Sequence, residues 1–316
     1  MEEIKLGAEV PRTCAGQRLD QALATMFPEY SRSRLTQWVR DGRVWVNGRV
    51  LRPRDKVLGG ERVEVEARAE PQERWAAEAI PLDIVFEDAS ILVINKPAGL
   101  VVHPAAGNRD GTLLNALLHH APELAAVPRA GIVHRLDKDT TGLLVVARTL
   151  KAQTALVTQL QARSLTREYD AVVMGVLTGG ATVKAPIGRH PVDRKRMAVV
   201  QGGKPAVTHY RLVERFAAHT HIRARLETGR THQIRVHMAH IKNPLVGDRV
   251  YGGRLRLPPG CGETLREVLR TFPRQALHAR RLGLNHPESG EYAEWSVPLP
   301  ADMERLLEAL RGEGAA

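Results

Sequence analysis

The chain has 316 residues, 43% of them hydrophobic, and carries a formal net charge of +11. The length suits two domains with enough apolar content for packed cores, and the charge suits a polyanionic partner, of which nucleic acid is the usual one. The two cysteines, Cys14 and Cys261, stand far apart, which excludes a disulfide scaffold and a cysteine-based zinc site, and no apolar run reaches the length of a membrane span.

The chain begins Met1-Glu2-Glu3-Ile4-Lys5, without the apolar run of a signal peptide, so a cytoplasmic protein in a reducing compartment is expected. Residues 15–70 read as a small module. Leu19, Leu23 and Met26 recur at helical spacing, and Pro28 stops that helix. Ser31 can cap a second helix, Arg32 to Arg40, which carries Leu35, Trp38 and Val39 and ends at Gly42. Residues 43–46 alternate like a strand, Asn47-Gly48 signals a two-residue hairpin, and residues 62–66 alternate again. Between Arg32 and Lys56 eight cations, Arg32, Arg34, Arg40 and Arg43 among them, stand against Asp41 and Asp55 alone, a charge excess suited to phosphate. Of the 46 cations in the chain 37 are arginine, whose planar fork fits phosphate and stacks on bases; a GC-rich genome or a hot habitat would give the same bias.

Glu70-Pro71-Gln72-Glu73-Arg74 reads as a polar linker to a second domain, residues 80–316. Strand-like runs there cover 84–86, 91–95, 143–147, 169–176, 206–214, 221–227 and 292–297, and helical patterns cover 112–120, 152–162, 262–270 and 301–311. Mixed strands with segregated helices predict an α+β fold. The stretch His134-Arg135-Leu136-Asp137-Lys138-Asp139-Thr140-Thr141-Gly142 is the most telling. A cluster of ionisable groups ends in Thr-Thr-Gly and runs into an apolar strand, the way a reactive side chain is mounted on a short turn at the mouth of a rigid element. The histidines invite a metal reading, with His232, His237 and His240 close together. The 232–237 spacing does not put two of them on one helix face, no glutamate completes an H-E-x-x-H pattern, and residues 233–237 alternate like a strand, so no metal site is expected. Residues 189–196, RHPVDRKR, form a charged loop that is either solvated or closes on a substrate.

The string HRLDKDTTGL closely resembles the active-site motif of the RluA-type pseudouridine synthases, which isomerise uridine in RNA. Further segments match in order: Asn95–Pro104, Thr166–Tyr169, Glu227–Met238, Pro244–Gly252 and Gln275–Ala279. The pattern RLDQAL…SRSRLTQWVRDGRVWVNGRV resembles the S4 RNA-binding domain. Together these cover most of the chain, and several motifs in one order make a specific signal. The details are most similar to the D-type members that modify large-subunit (23S) ribosomal RNA.

The resemblance implies that Asp137 is catalytic, that Arg235 pairs with it, and that Tyr169 lies against the extruded uracil, its hydroxyl helping to remove the C5 proton. Arg135 would fill the space the base leaves, with His134 and Arg230 also on the RNA-binding side, and Arg32, Arg34, Arg40 and Arg43 would grip RNA from the S4-like module. Asp139 reads as a loop-stabilising acceptor. The isomerisation breaks a C1′–N1 bond and makes a C1′–C5 bond with no group entering or leaving, so no cofactor is needed. A carboxylate can attack C1′, deprotonate C2′ or stabilise positive charge at the sugar, and the residues do not choose among these. The implied partner is 23S ribosomal RNA, at several uridines of the helix 69 stem-loop, or at other uridines for a C-type enzyme; a monomer with no membrane association is expected. A non-catalytic S4-type assembly factor is the rival, but it predicts a degraded motif, whereas Asp137, Tyr169 and Arg235 are all present. A metal-dependent nuclease would need clustered carboxylates and histidines.

Overall fold

Leu19, Leu23, Leu35, Trp38 and Val39 converge on one small core in the computed structural model, which describes residues 3–28, 30, 32–68, 75–105 and 107–313. The chain divides into two units, Met1–Arg74 and Trp75–Ala316. The expected cap Ser31 and linker 70–74 lie outside the described residues.

The first unit runs β1 (Glu3–Glu9), α1 (Leu19–Met26), α2 (Arg32–Arg40), β2 (Val44–Val46) and β3 (Arg62–Arg68), with an antiparallel sheet in the order β1-β3-β2. Helix α2 ends as Gly42 predicts. Gly42 is left-handed (φ 68°), and the amides of Gly42 and Arg43 turn back onto Val39 and Trp38, satisfying the last carbonyls. The hairpin expectation needs correction. Asn47 and Gly48 do form a left-handed turn, but it closes only Val46 onto Arg49, and β2 takes β3 as its ladder partner. Pro53, which has no N–H, lies in the stretch that a hairpin would have used as its return strand. The Arg32 guanidinium holds the buried Asp20 at 2.7 Å, beside Arg18 at 2.9 Å, so two arginines share one carboxylate and Arg32 stays half exposed. Arg40 and Arg43 are exposed and Arg34 is half-buried.

The second unit is a mixed α+β structure built on one sheet. Its elements are β4 (Ile84–Glu87), β5 (Ile91–Lys96), α3 (Leu113–His120), β6 (Thr141–Ala147), α4 (Leu150–Ala162), β7 (Thr166–Met174), β8 (Ala181–Lys184), β9 (Ile187–Arg189), β10 (Met197–Val199), β11 (Val207–Arg215), β12 (His219–Leu226), α5 (Gln233–His240), α6 (Glu263–Thr271), β13 (Leu277–Asn285), β14 (Tyr292–Ser296) and α7 (Ala301–Gly312). The strand order is β4-β5-β6-β13-β7-β12-β11-β8, with β14 also on β13. Neighbours are antiparallel except β6 and β13. Residues 91–94 of β5 and 143–147 of β6 are all apolar because both faces are covered. Leu92 and Ile94 pack with Leu113 and Leu117 of α3, while Ile91 and Val93 pack with Ala152 and Leu156 of α4. Among the described residues no helix is long and apolar enough to cross a membrane.

Residues 233–237, expected as a strand, are the first turns of α5. The segment is buried from Gln233 to Met238, so it lacks the polar face that marks an amphipathic helix, and its alternation of residue types mimics a strand. Gln233 and His237, four apart on one face, both bond Thr208 of β11 at 3.0 and 2.9 Å. Arg235 therefore projects from the other side.

Candidate active site

Strand β6 begins directly after the His134–Thr140 turn, and its first residues pair in parallel with β13, Gly142 opposite Ala279. Ala279 is in turn opposite Tyr169 of β7. The sheet thus brings the Asp137 turn and Tyr169 to two strands separated only by β13. Gly142 has φ 109°, and a Cβ there would stand 2.2 Å from the Ala279 carbonyl oxygen, so only glycine lets β6 and β13 approach this closely.

The turn is clamped by two buried cations that bond its main chain. Lys96 Nζ donates to the carbonyls of Lys138 (2.8 Å), Leu100 (3.0 Å) and Pro97 (2.6 Å). Burial lowers the Lys96 pKa to about 8, against the pull of Asp139. Arg274 Nη1 donates to the Asp139 carbonyl at 3.1 Å, and its other nitrogens hold Asp302 bidentately at 2.7 and 2.9 Å. Gln275 bonds the Thr140 hydroxyl at 3.0 Å. The expected acceptor role of Asp139 falls to its carbonyl; its carboxylate makes no hydrogen bond among the described residues.

Asp137 and Arg235, 98 residues apart, meet at 2.9 Å between Oδ2 and Nη1. Arg235 also grips Asp248 through Nε (2.7 Å) and Nη2 (3.0 Å). Asp248 is buried, and the amides of Val250 and Tyr251 complete its bonding at 3.0 and 3.1 Å. Burial works against the Arg235 charge, but the two carboxylates outweigh it and raise its pKa. Its guanidinium lies 5.0 Å from the centre of the Tyr251 ring, and Arg196, from the 189–196 loop, lies 5.3 Å from it. Tyr251 Oη accepts from the Met197 amide at 3.0 Å and lies 2.7 Å from His232 Nδ1. If the hydroxyl donates to Nδ1, the ring's own proton is on Nε2, which stands 3.6 Å from Asp137 Oδ1. Burial lowers the His232 pKa, partly opposed by Asp137, and its left-handed backbone (φ 55°) starts α5.

Asp137, Arg135 and Tyr169 line a cleft of about 520 Å³ together with Arg167, Arg230 and Arg235. Tyr169 is buried, which raises its pKa and keeps the hydroxyl protonated. Arg135 is exposed, and Arg230 donates from Nε to the Pro205 carbonyl at 3.1 Å. His134 serves the main chain. Its Nε2 accepts from the Val145 amide at 3.1 Å, where β13 has already left β6 for β14. Burial, reinforced by Arg167, lowers its pKa to about 3, so the ring stays neutral. A second cleft of about 690 Å³, which includes Arg129, Lys138 and Arg249, shares Asp137, Arg135 and His232 with the first. Among the described residues no three potential metal ligands of the His, Cys, Asp or Glu types cluster. Lys96, Asp248, Tyr251 and Arg274 all lie within or next to the motif segments, but the sequence gives them no role because their bonds depend on burial and on main-chain partners.

Residues 90–240 match the family model described as RNA pseudouridylate synthase, and residues 17–63 match the S4 domain. The chain is 63% identical over 313 residues to the ribosomal large subunit pseudouridine synthase D of Pseudomonas aeruginosa, covering 99% of this chain and 98% of the relative. It is 60% identical to the Escherichia coli K12 protein of the same name, covering 99% and 96%. Among solved structures it is similar to human RNA pseudouridylate synthase domain containing 4 (26% identity, TM-score 0.58, 72% of this chain and 92% of that one). Human RNA pseudouridylate synthase domain containing 1 is likewise similar (26% identity, TM-score 0.54, 76% and 98%).

Proposed function

The chain belongs to the RluA-type RNA pseudouridine synthases, and from that premise we propose that Asp137 carries out the isomerisation and that the target uridines lie in large-subunit (23S) ribosomal RNA. A pseudouridine synthase breaks C1′–N1, forms C1′–C5, and trades a proton at C5 for one at N1, so the reaction balances with no co-reactant. One observation carries the assignment to Asp137. Its Oδ2 is tied to Arg235, while Oδ1, with only His232 Nε2 at 3.6 Å, is left for the ribose of a uridine in the cleft. Attack on C1′, removal of the C2′ proton and stabilisation of a cationic sugar all need one such oxygen, held still. Tyr169, protonated and buried beside it, supplies a ring face for the extruded base and a neutral hydroxyl that can relay the C5 proton. Arg135 is exposed on the same turn, and in this reading it takes the place of the base in the RNA stack.

The relatives named ribosomal large subunit pseudouridine synthase D support large-subunit ribosomal RNA as the substrate, and several uridines of the helix 69 stem-loop are the targets this reading takes. In this reading residues 15–70 grip RNA through Arg32, Arg34, Arg40 and Arg43, residues 80–316 do the chemistry, and the protein acts as a monomer in the cytoplasm, where that RNA is found. Replacement Asp137→Asn keeps the shape and removes the charge. It is expected to cut tritium release from [5-³H]uridine stem-loop RNA by about 10³-fold or more, within the range for loss of an acid–base or nucleophilic group, while RNA affinity holds. Asp139→Asn should stay within about tenfold of wild type, because the loop uses its carbonyl. The reverse ranking would put catalysis on the wrong carboxylate.

A further inference from the structure

Among the described residues Arg167 is a buried cation without a counter-ion. It sits on β7 two residues before Tyr169, so both side chains leave the same face of the sheet, and both line the Asp137 cleft. Only 7% of Arg167 is exposed, yet its Nε is buried with no partner, and among the described residues its guanidinium meets neither a carboxylate nor a carbonyl. Arg235, the other buried arginine of the cleft, and the shallower Arg163 and Arg230 all have partners. Arg235 is balanced by Asp137 and Asp248, Arg163 faces Glu227 at 3.6 Å, and Arg230 bonds the Pro205 carbonyl. The guanidinium packs closely on the Glu227–Thr231 turn: a Cβ on Gly229 would stand 2.8 Å from its Nη1 and push it from its present position.

An uncompensated buried charge is destabilising, and a bound anion would compensate it. We propose that Arg167 is an anion subsite that binds a backbone phosphodiester flanking the target uridine and so sets the ribose in front of Asp137. This rests on reading the cleft as the uridine site. The uracil oxygens are neutral, and the phosphodiester is the only charge that a uridine within RNA brings. A guanidinium matches two phosphate oxygens with its fork, and a phosphate contact fixes register without reading sequence. Arg167 is thus a positioning residue, distinct from the exposed arginines of the S4 domain.

The test uses the full chain and a stem-loop RNA carrying one neutral methylphosphonate, at the linkage either 5′ or 3′ of the target uridine. Single-turnover conversion gives a half-saturating enzyme concentration and a saturating rate for wild type, Arg167→Gln and Arg167→Lys. Arg167→Gln is expected to raise half-saturation about tenfold, and to flatten the slope of log affinity against log salt by about 0.7–0.9, the value for one phosphate contact. Its saturating rate should fall as well, by about tenfold, because a ribose without this contact is set less well in front of Asp137. Arg167→Lys should keep the wild-type salt slope while binding more weakly. One of the two methylphosphonates should weaken wild type by a similar factor and leave Arg167→Gln unaffected. Wild type indifferent to both neutral linkages would overturn the proposal even if Arg167→Gln failed to fold, and so would penalties that simply add in Arg167→Gln with the salt slope unchanged. Failure of wild type to convert any uridine in the unmodified RNA would instead count against the function itself.

Discussion

Replacing Arg235 with lysine is the sharpest perturbation of the carboxylate geometry. The guanidinium makes three charge-assisted bonds, two to Asp248 and one to Asp137. A lysine keeps the charge but presents one compact ammonium on a shorter reach, and it cannot span two carboxylates on opposite sides of a fork. Two of the three bonds are lost. At about 1.5–3 kcal/mol for each bond to a charged group, and with part of the loss recovered by relaxation, destabilisation should be about 3 kcal/mol. In a domain of this size that lowers the melting temperature by roughly 6–12 °C. Because Asp248 is fully buried and fixed by two amides, the lysine stays with it and Asp137 is released. Misplacement of a reacting group by about 1 Å costs about 10²-fold in rate. Single-turnover tritium release should therefore fall about 100-fold at saturating enzyme, while RNA affinity remains within a few-fold of wild type. Arg235→Lys with wild-type melting and wild-type rate would refute the view that this arginine locks Asp137 in place.

Alkaline pH should slow catalysis through Lys96. Its folded pKa of about 8 lies below the ordinary lysine value of 10.5, so as pH rises past 8 the amine loses a proton and can no longer fill all three carbonyls, while the folding contribution of this group rises between 8 and 10.5. A saturating rate that stays flat to well above about pH 9, with the RNA intact, would contradict the clamp. Acid should destabilise the fold through three histidines, with burial setting the pKa of His134 at about 3 and of His219 and His278 at about 4, below the ordinary 6.5. The unfolded chain takes up these protons first, so stability falls as pH drops from about 6.5 towards 4, with a limiting slope of about 4 kcal/mol per pH unit for three protons; urea midpoints that do not move between about pH 7 and 5 would rule this out. Removing residues 1–74 should leave uridine conversion at high enzyme concentration but weaken RNA binding and flatten its salt dependence. An unchanged salt slope and unchanged site choice would show that the S4 domain does not grip the RNA.

The legible part of the sequence was what depends on residue type and local spacing. The Asp137 turn showed itself because ionisable residues, Thr-Thr-Gly and an apolar strand follow one another without a break. Helices α3, α4, α6 and α7 lay within two residues of their expected bounds because each has one polar and one apolar face or a clear terminal signal, as Gly262 and Pro300 provide. What failed was whatever depends on long-range burial. Helix α5 reads as a strand until β11 and the Asp137 turn are known to enclose it on both sides. The β2 hairpin has the right turn residues, but its register is decided by β3.

The two sets of bonds at the site divide the work by chemical type. Lys96 and Arg274 hold the turn through carbonyl oxygens, those of Lys138 and Asp139, on the two residues that follow Asp137. Carbonyls are present whatever the side chain, so this clamp fixes the path of the chain and leaves the side chains of the turn uncommitted. That is why Asp139 can lie two residues from Asp137 and hold the loop without its carboxylate. Arg235 bonds carboxylates alone, and so sets the direction of one side chain, Asp137, against an anchor, Asp248, that cannot move. Place and direction are thus fixed by different groups from different elements: β5 and the segment before β13 supply the first, α5 the second. Such an arrangement leaves one oxygen of Asp137 with only His232 at 3.6 Å, and an open oxygen on an otherwise fully determined side chain is what a reaction at the ribose requires.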